Sequence, residues 1–144
     1  MTGSCRPGAV LATLTITPSK SMDEHEFKLA ALALFPDLQE SFEELDGLFH
    51  LQMEQFERRT NEEISRRNED NVLAAFQLAE RCWKRGSDVM QNAIETSFAE
   101  GITRSNVKHG AWAWKLLPKP LKVLHVNFWG EESVKTRLGL QRLY

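Results

Sequence analysis

The sequence predicts an all-α fold: a compact bundle of five or six helices with an antiparallel helical hairpin at residues 69–100. Apolar residues recur at the spacing of an amphipathic helix along most of residues 22–130. Capping residues and single glycines separate these segments from one another. The chain has 144 residues, of which 42% are hydrophobic and 26% charged. This composition is typical of one globular domain that buries a core without disulfides or metal.

The first half of the bundle is predicted to contain three helices. In the first, the apolar residues follow the spacing i, i+3, i+4, i+7 and i+11: Phe27, Ala30, Ala31, Leu34 and Leu38. Pro36 ends this helix, because the residue before a proline avoids the helical conformation, and it can begin the next helix over 36–46. Gly47 separates that helix from a longer one over about residues 48–67.

The hairpin has the clearest boundaries in the chain. Asn68 is a good N-cap for a helix over 69–85, and Gly86 permits the left-handed conformation that commonly ends a helix. Ser87 then caps a helix over 88–100, which Gly101 ends. So short a connection makes the two helices close neighbours, and we expect an antiparallel pair. Within it, Cys82 is predicted to be a buried core residue.

The two ends of the chain are less regular. Residues 111–117 are ambiguous between helix and strand, whereas Pro120 suits the first turn of a last helix. The domain is therefore expected to span 22–130, and residues 131–144 to form a tail or a short helix. Residues 1–21 contain no acid, and we predict a disordered extension, a segment before an alternative start, or a short strand lying loosely on the domain.

Charge is distributed unevenly, and this pattern suggests a partner. Residues 22–63 contain twelve acids and three bases, a net charge of -9, whereas residues 105–144 contain two acids and seven bases, a net charge of +5. The acidic helices predict a surface for a protein partner, and complementary charge favours a basic one. The candidate contact residues there are Glu40, Glu43, Glu44 and Glu54.

A second candidate surface is the segment 108–129, where tryptophans and lysines alternate. Trp112, Trp114 and Lys115 are its candidate contact residues. Aromatic rings beside lysines can stack on single-stranded bases or hold a helix at a membrane surface. Against this, large aromatic residues are also the richest source of burial in a small core. The overall net charge of -2 removes the simplest case for a nucleic-acid-binding protein.

No arrangement of residues predicts catalysis, a metal or a cofactor. The sequence has no glycine-rich phosphate loop and none of the HExxH or GxSxG motifs. His50 and Glu54 lie four residues apart on one helix, but a metal site needs further ligands, and the acids of residues 37–63 are expected to be solvated. His125 is predicted to be a hydrogen-bonded residue at the core boundary. We therefore expect a protein that is not an enzyme, with no cofactor and no metal.

Two stretches carry a resemblance to a known family. They are residues 49–56 (FHLQMEQF) and 92–100 (NAIETSFAE), followed by the Leu-Pro and Pro-Leu pairs of residues 117–121 (LPKPL). Together they resemble a family of small helical bacterial proteins known only as a domain of unknown function, over about residues 22–130. The resemblance implies a bacterial, cytoplasmic, mostly helical domain, and it supplies no functional residue.

The function that the sequence predicts is a non-enzymatic protein-binding module that uses an acidic helical face. One form of it is an inhibitor or immunity-type protein that covers a basic enzyme. The alternative is a weak nucleic-acid or membrane-surface binder that uses residues 108–129. No apolar run is long enough to span a bilayer, since the longest stretch without a charged side chain is residues 7–19.

Overall fold

The computed structural model describes residues 21–104 and 108–144, and over these it confirms the all-α prediction. It contains no β-strand in this part of the chain, and one isolated bridge joins Met22 to Gly86. The α-helices are α1 (Glu24–Leu34), α2 (Gln39–Glu44), α3 (Phe49–Ser65), α4 (Glu69–Arg85), α5 (Asp88–Ala93), α6 (Gly110–Leu116), α7 (Lys119–Trp129) and α8 (Glu131–Leu138). A 3₁₀ turn (Pro36–Leu38) precedes α2, and a π-helix (Ile94–Ala99) continues α5.

The number of helices exceeds the predicted five or six because the C-terminal third is divided more finely. The ambiguous segment 111–117 forms α6, which ends just before Pro118, and Gly130 separates α7 from α8 with a φ of 91°. The prediction for residues 1–21 falls, apart from Ser21, outside the described residues.

Helix starts follow the predicted capping residues. The Asn68 side chain accepts a hydrogen bond from the Asn71 amide, and the Ser87 hydroxyl accepts one from the Met90 amide. Asp23 caps α1 in a reciprocal pair with Glu26. Each side-chain cap satisfies an amide that has no partner inside its helix.

The prediction of a left-handed conformation at Gly86 is wrong. The glycine is not left-handed but extended, with φ -77° and ψ 157°. A side chain here would collide with the Cys82 carbonyl oxygen and with the Met90 side chain. The glycine is therefore required by the close approach of α4 and α5, not by a backbone conformation that other residues avoid.

The predicted hairpin is present and antiparallel. The rings of Phe76 and Phe98 contact each other at 6.5 Å, and both residues lie eleven positions from Ser87. Closer to the turn, the Gln91 side-chain amide donates to the Trp83 carbonyl at 2.7 Å. Two antiparallel helices bring together residues that lie equally far along the chain on either side of the turn, as these pairs do.

An aromatic cluster forms the centre of the core. Phe27 contacts Phe49 and Phe56 edge to face at 5.7 and 5.2 Å, and Phe56 stacks on Phe98 at 5.6 Å. These contacts join α1, α3 and the π-helix, and such aromatic pairs stabilise the fold beyond the area they bury. Cys82 is buried beside this core, as predicted.

The C-terminal residues belong to the packed domain. Val134, Leu138 and Leu143 are buried, and residues 131–138 form α8. The indole N–H of Trp114 donates to the Leu143 carbonyl at 2.8 Å and fixes the end of the chain. Among the described residues, no helix is both long and apolar enough to cross a membrane.

Candidate functional site

Of the four predicted acidic contact residues, Glu43 lines a groove between α1 and α2, whereas Glu40 and Glu44 lie on α2 outside the lining. The 3₁₀ turn at Pro36–Leu38 folds α2 back beside α1, and the buried Gln52 amide of α3 donates to the Phe42 carbonyl at 2.9 Å. This bond holds the exposed α2 against the core. The groove has a volume of about 370 Å³. We call it the acidic groove; its lining includes His25, Lys28, Leu29, Leu32, Phe42, Glu43 and Asp46.

The predicted acids of α2 are available to a partner. Glu40, Glu43 and Glu44 are all exposed, and neither Glu40 nor Glu44 forms an ion pair with a residue that the structure describes. Glu43 accepts a hydrogen bond from the Gln39 side chain at 2.6 Å and lines the groove. Glu54 is different: it lies on α3, outside the groove lining, and pairs with Arg58 at 3.5 Å.

Large apolar side chains are exposed in the groove and after α2. Leu29 in the groove is 58% exposed, and Leu48 and Leu51, which follow α2 in the chain, are 51% and 43% exposed. Exposed apolar residues with polar residues around them are a feature of protein-binding surfaces.

The second predicted surface is largely used for packing. Trp114 is only 2% exposed, which corrects its assignment as a contact residue, because its ring fills the space between α6 and the chain end. Trp112 is half-buried, with the Arg67 guanidinium 4.7 Å above its ring. Lys115 is exposed. The segment thus presents lysines but few free aromatic faces, and base stacking needs such faces.

A polar cleft that sequence reasoning missed lies between α3 and the turn after the π-helix. It has a volume of about 360 Å³, and its lining includes Glu57, Asn61, Glu62, Gly101 and Arg104. Glu57 was expected to be solvated with the other acids of residues 37–63, but it is only 8% exposed. Burial raises the pKa of its carboxyl group to about 7.

Glu57 is held by two close neighbours. The Asn61 side-chain amide donates to its Oε2 atom. Gly101 packs on the other side, where an added Cβ would lie 3.0 Å from the Glu57 carboxyl carbon. Its Oε1 atom accepts no hydrogen bond from any described residue, and a buried oxygen without a partner calls for an explanation.

The π-helix explains how the far side of the cleft is built. A π-helical end leaves carbonyls without partners inside the helix. His125 Nδ1–H donates to the Ala99 carbonyl at 2.6 Å, and the Trp129 indole N–H donates to the Glu100 carbonyl at 2.7 Å. These two α7 side chains therefore fix the segment that leads into the cleft.

His125 is buried completely rather than placed at the core boundary. The Arg137 guanidinium donates to its Nε2 atom at 2.6 Å, so both ring nitrogens have partners while the imidazole is neutral. Burial lowers the pKa of His125 to about 4, and the neighbouring Arg137 charge acts in the same direction. At neutral pH the imidazole is therefore uncharged, and its two hydrogen bonds hold α7 to Ala99 and Arg137.

Backbone strain occurs beside the cleft as well. Thr103 is 1% exposed and has a φ of 68°, an uncommon conformation for a β-branched residue. Its amide donates to Asn61 Oδ1 at 3.2 Å, and its hydroxyl accepts from Arg137 at 3.4 Å. Such strain tends to collect at functional sites.

A second buried carboxyl group, Glu63, has a structural role. Its oxygens accept hydrogen bonds from Arg59 at 2.5 Å and Arg66 at 2.7 Å, and from the side chains of Asn68 and Asn71. These donors outweigh the effect of burial and lower its pKa to about 2. In the described part of the chain, no group of three or more His, Cys, Asp or Glu residues could hold a metal ion.

The comparisons with known proteins identify the family and nothing beyond it. No curated protein and no solved structure matches the chain significantly. The family model of a domain of unknown function, DUF7674, matches residues 29–130, which include α1 from its sixth residue, the acidic α2, the hairpin and α7. The match ends where the resemblance of residues 49–56 and 92–100 led us to expect, near residue 130. The chain belongs to this DUF7674 family.

Proposed function

We propose that the protein is a non-enzymatic protein-binding module and that the acidic groove is its docking surface. The observation that carries this proposal is an exposed leucine in a groove that acids also line, on a helix with two further unpaired acids. Leu29 offers an apolar anchor beside Glu43 and Asp46, and Glu40 and Glu44 add α2 charges outside the lining that no described residue neutralises. Clusters of acids alone are common on solvated surfaces; the apolar floor is what distinguishes this one.

The partner that fits this surface is a basic amphipathic helix. An amphipathic helix can lay apolar residues into a groove between two helices, with anchors spaced at i, i+3 or i+4 and i+7. Lysines or arginines beside those anchors would face Glu43 and Asp46 on the groove wall. Complementary charge speeds association and excludes acidic competitors.

A finer form of this proposal is an inhibitor or immunity-type protein for a basic enzyme such as a nuclease. The charge asymmetry supports it, since residues 22–63 have a net charge of -9. In this form the module would act by covering its target rather than by chemistry of its own.

Affinity capture with a charge-reversed variant tests the proposal. The full chain would be immobilised and incubated with lysate of its native cell at about 50 mM and 500 mM salt, and retained proteins measured by quantitative mass spectrometry. The test variant is E40K/E43K/E44K. The matched control, E69K/E95K/E132K, makes the same change in net charge at exposed positions of α4, the π-helix and α8.

The expected result is a basic protein retained by wild type and by the control at low salt. The test variant should retain at least tenfold less of this protein. High salt should reduce its retention by the wild type in the same way, because salt screens exposed charges. Equal retention by the wild type and E40K/E43K/E44K would refute the acidic groove as the docking surface.

A further inference from the structure

We propose that the polar cleft beside Glu57 binds a small zwitterionic ligand of the free amino-acid class, with its ammonium group on Glu57 and its carboxylate on Arg104. This site is separate from the acidic groove, and its proof or failure leaves the docking proposal untouched. The inference starts from Glu57 and Arg104, two ionisable side chains that line one cleft and form no ion pair with a described residue.

The first charge is the Glu57 carboxylate. It lies in the wall of the cleft, is more than nine-tenths buried, and has one oxygen, Oε1, with no hydrogen-bond donor among the described residues. A carboxylate keeps acceptor capacity on both oxygens, so an ammonium group placed here would supply the missing donors. Gly101 packs closely against the carboxyl group, where an added Cβ would lie 3.1 Å from Oε1, so the site requires a residue without a side chain at this position.

The second charge is the Arg104 guanidinium. Its Cζ atom lies 3.7 Å from the centroid of the Trp129 ring, and it forms no ion pair within the part of the chain that the structure describes. The contact with the indole restrains the guanidinium, and a guanidinium can hold a carboxylate through two parallel hydrogen bonds. Trp129 is itself anchored by its bond to the Glu100 carbonyl.

Arg58 and Glu62 line the cleft as well. Arg58 pairs with Glu54 along α3, and Glu62 is exposed and lies 3.8 Å from Arg59. Glu57 and Arg104 are the two ionisable groups of the lining without an ion pair to a described residue, and a ligand with one positive and one negative group fits both. The cleft, with a volume of about 360 Å³, is large enough to admit a free amino acid.

The ionisation of Glu57 gives the binding a pH dependence. Because burial raises its pKa to about 7, the carboxyl group is largely neutral at pH 6 and charged at pH 8. An ammonium group binds the charged form, so affinity should rise severalfold between these two pH values. Glu54 raises this pKa and Arg58 lowers it; Arg104 faces the cleft from the opposite turn.

The test is a thermal-shift and calorimetric titration of the full chain with the twenty common amino acids at pH 8. For the tightest one, two probes that each lack one charge are compared: the amine without the carboxylate and the N-acetylated acid. A ligand at about ten times its Kd should raise Tm by a few degrees. We expect each probe to bind at least tenfold more weakly than the parent amino acid.

Three variants complete the test. E57Q and R104Q should each weaken binding at least tenfold, whereas E95Q, which removes an exposed charge on the π-helix outside the cleft lining, should change Kd less than threefold. Circular dichroism and the Tm of each free variant verify that it is folded. No shift with any amino acid at 10 mM, equal binding of the plain amine, or wild-type affinity in a folded E57Q would each overturn the proposal.

Discussion

Replacing Glu57 by glutamine should stabilise the protein at alkaline pH. The carboxyl group is 8% exposed, and its pKa rises from 4.5 in an unfolded chain to about 7 in the fold. For an acid with a raised pKa, the folded state holds the proton more tightly than the unfolded state. Stability is therefore greatest at low pH and falls as pH rises from 4.5 to 7.

The size of the effect follows from the shift. A difference of about 2.5 pKa units at about 1.4 kcal/mol each gives roughly 3 kcal/mol of destabilisation above pH 7. Glutamine has the shape of the protonated acid and carries no charge, and its side-chain oxygen can still accept the bond from Asn61. The free energy of unfolding of the variant should thus exceed that of wild type by about 1 kcal/mol at pH 5 and by about 3 kcal/mol at pH 8.

Urea denaturation at pH 5 and pH 8 measures this difference directly. E62Q serves as the control, because Glu62 lies five positions along the same helix but is exposed. Its free energy of unfolding should differ from that of wild type by no more than about 0.5 kcal/mol at both pH values. If the gap between E57Q and wild type does not grow with pH, Glu57 is ionised without penalty in the fold and the reasoning about its burial is wrong.

Three further predictions concern the core and its polar anchors. Glu63→Gln should destabilise the protein by about 3 kcal/mol at pH 7, because the pKa of Glu63 is lowered to about 2 in the fold. At pH 3 the loss of stability should be smaller by about 2 kcal/mol, which urea denaturation at both pH values will measure. Phe56→Ala should cost about 3–5 kcal/mol by the same assay, since the ring is fully buried among three other phenylalanines; a cost below about 1 kcal/mol would contradict that packing. Gly86→Ala should cost about 1–3 kcal/mol, because the backbone carbonyl of Cys82 cannot move aside, and an unchanged Tm would show that α4 and α5 are farther apart.

The helices themselves could be predicted from sequence because their signals are local. The spacing of Phe49, Met53 and Phe56 gives the buried face of α3, and Asn68 and Ser87 give the starts of α4 and α5. Capping depends on residues within one turn of each other, so no knowledge of the tertiary fold is needed.

The polar cleft could not be predicted, because its chemistry depends on contacts distant in sequence. In the sequence, Glu57 resembles the solvated acids around it. In the fold, Gly101, more than forty residues away in the chain, covers its carboxyl group. The π-helix is equally hidden, since it changes hydrogen-bond register without changing the apolar spacing of the sequence. The burial of Trp114 depends on Leu143, which lies in a segment expected to be a tail or a short helix.

Carboxylate footprinting tests the acidic groove most directly. The full chain would be labelled at its exposed acids with a carbodiimide and an amine, alone and in complex with the captured basic partner, and the labelling of each acid read by mass spectrometry. Labelling of Glu40, Glu43 and Glu44 should fall several-fold in the complex, while that of Glu95 and Glu132 should be unchanged. Unchanged labelling of the three α2 acids, with protection elsewhere, would contradict docking at the acidic groove.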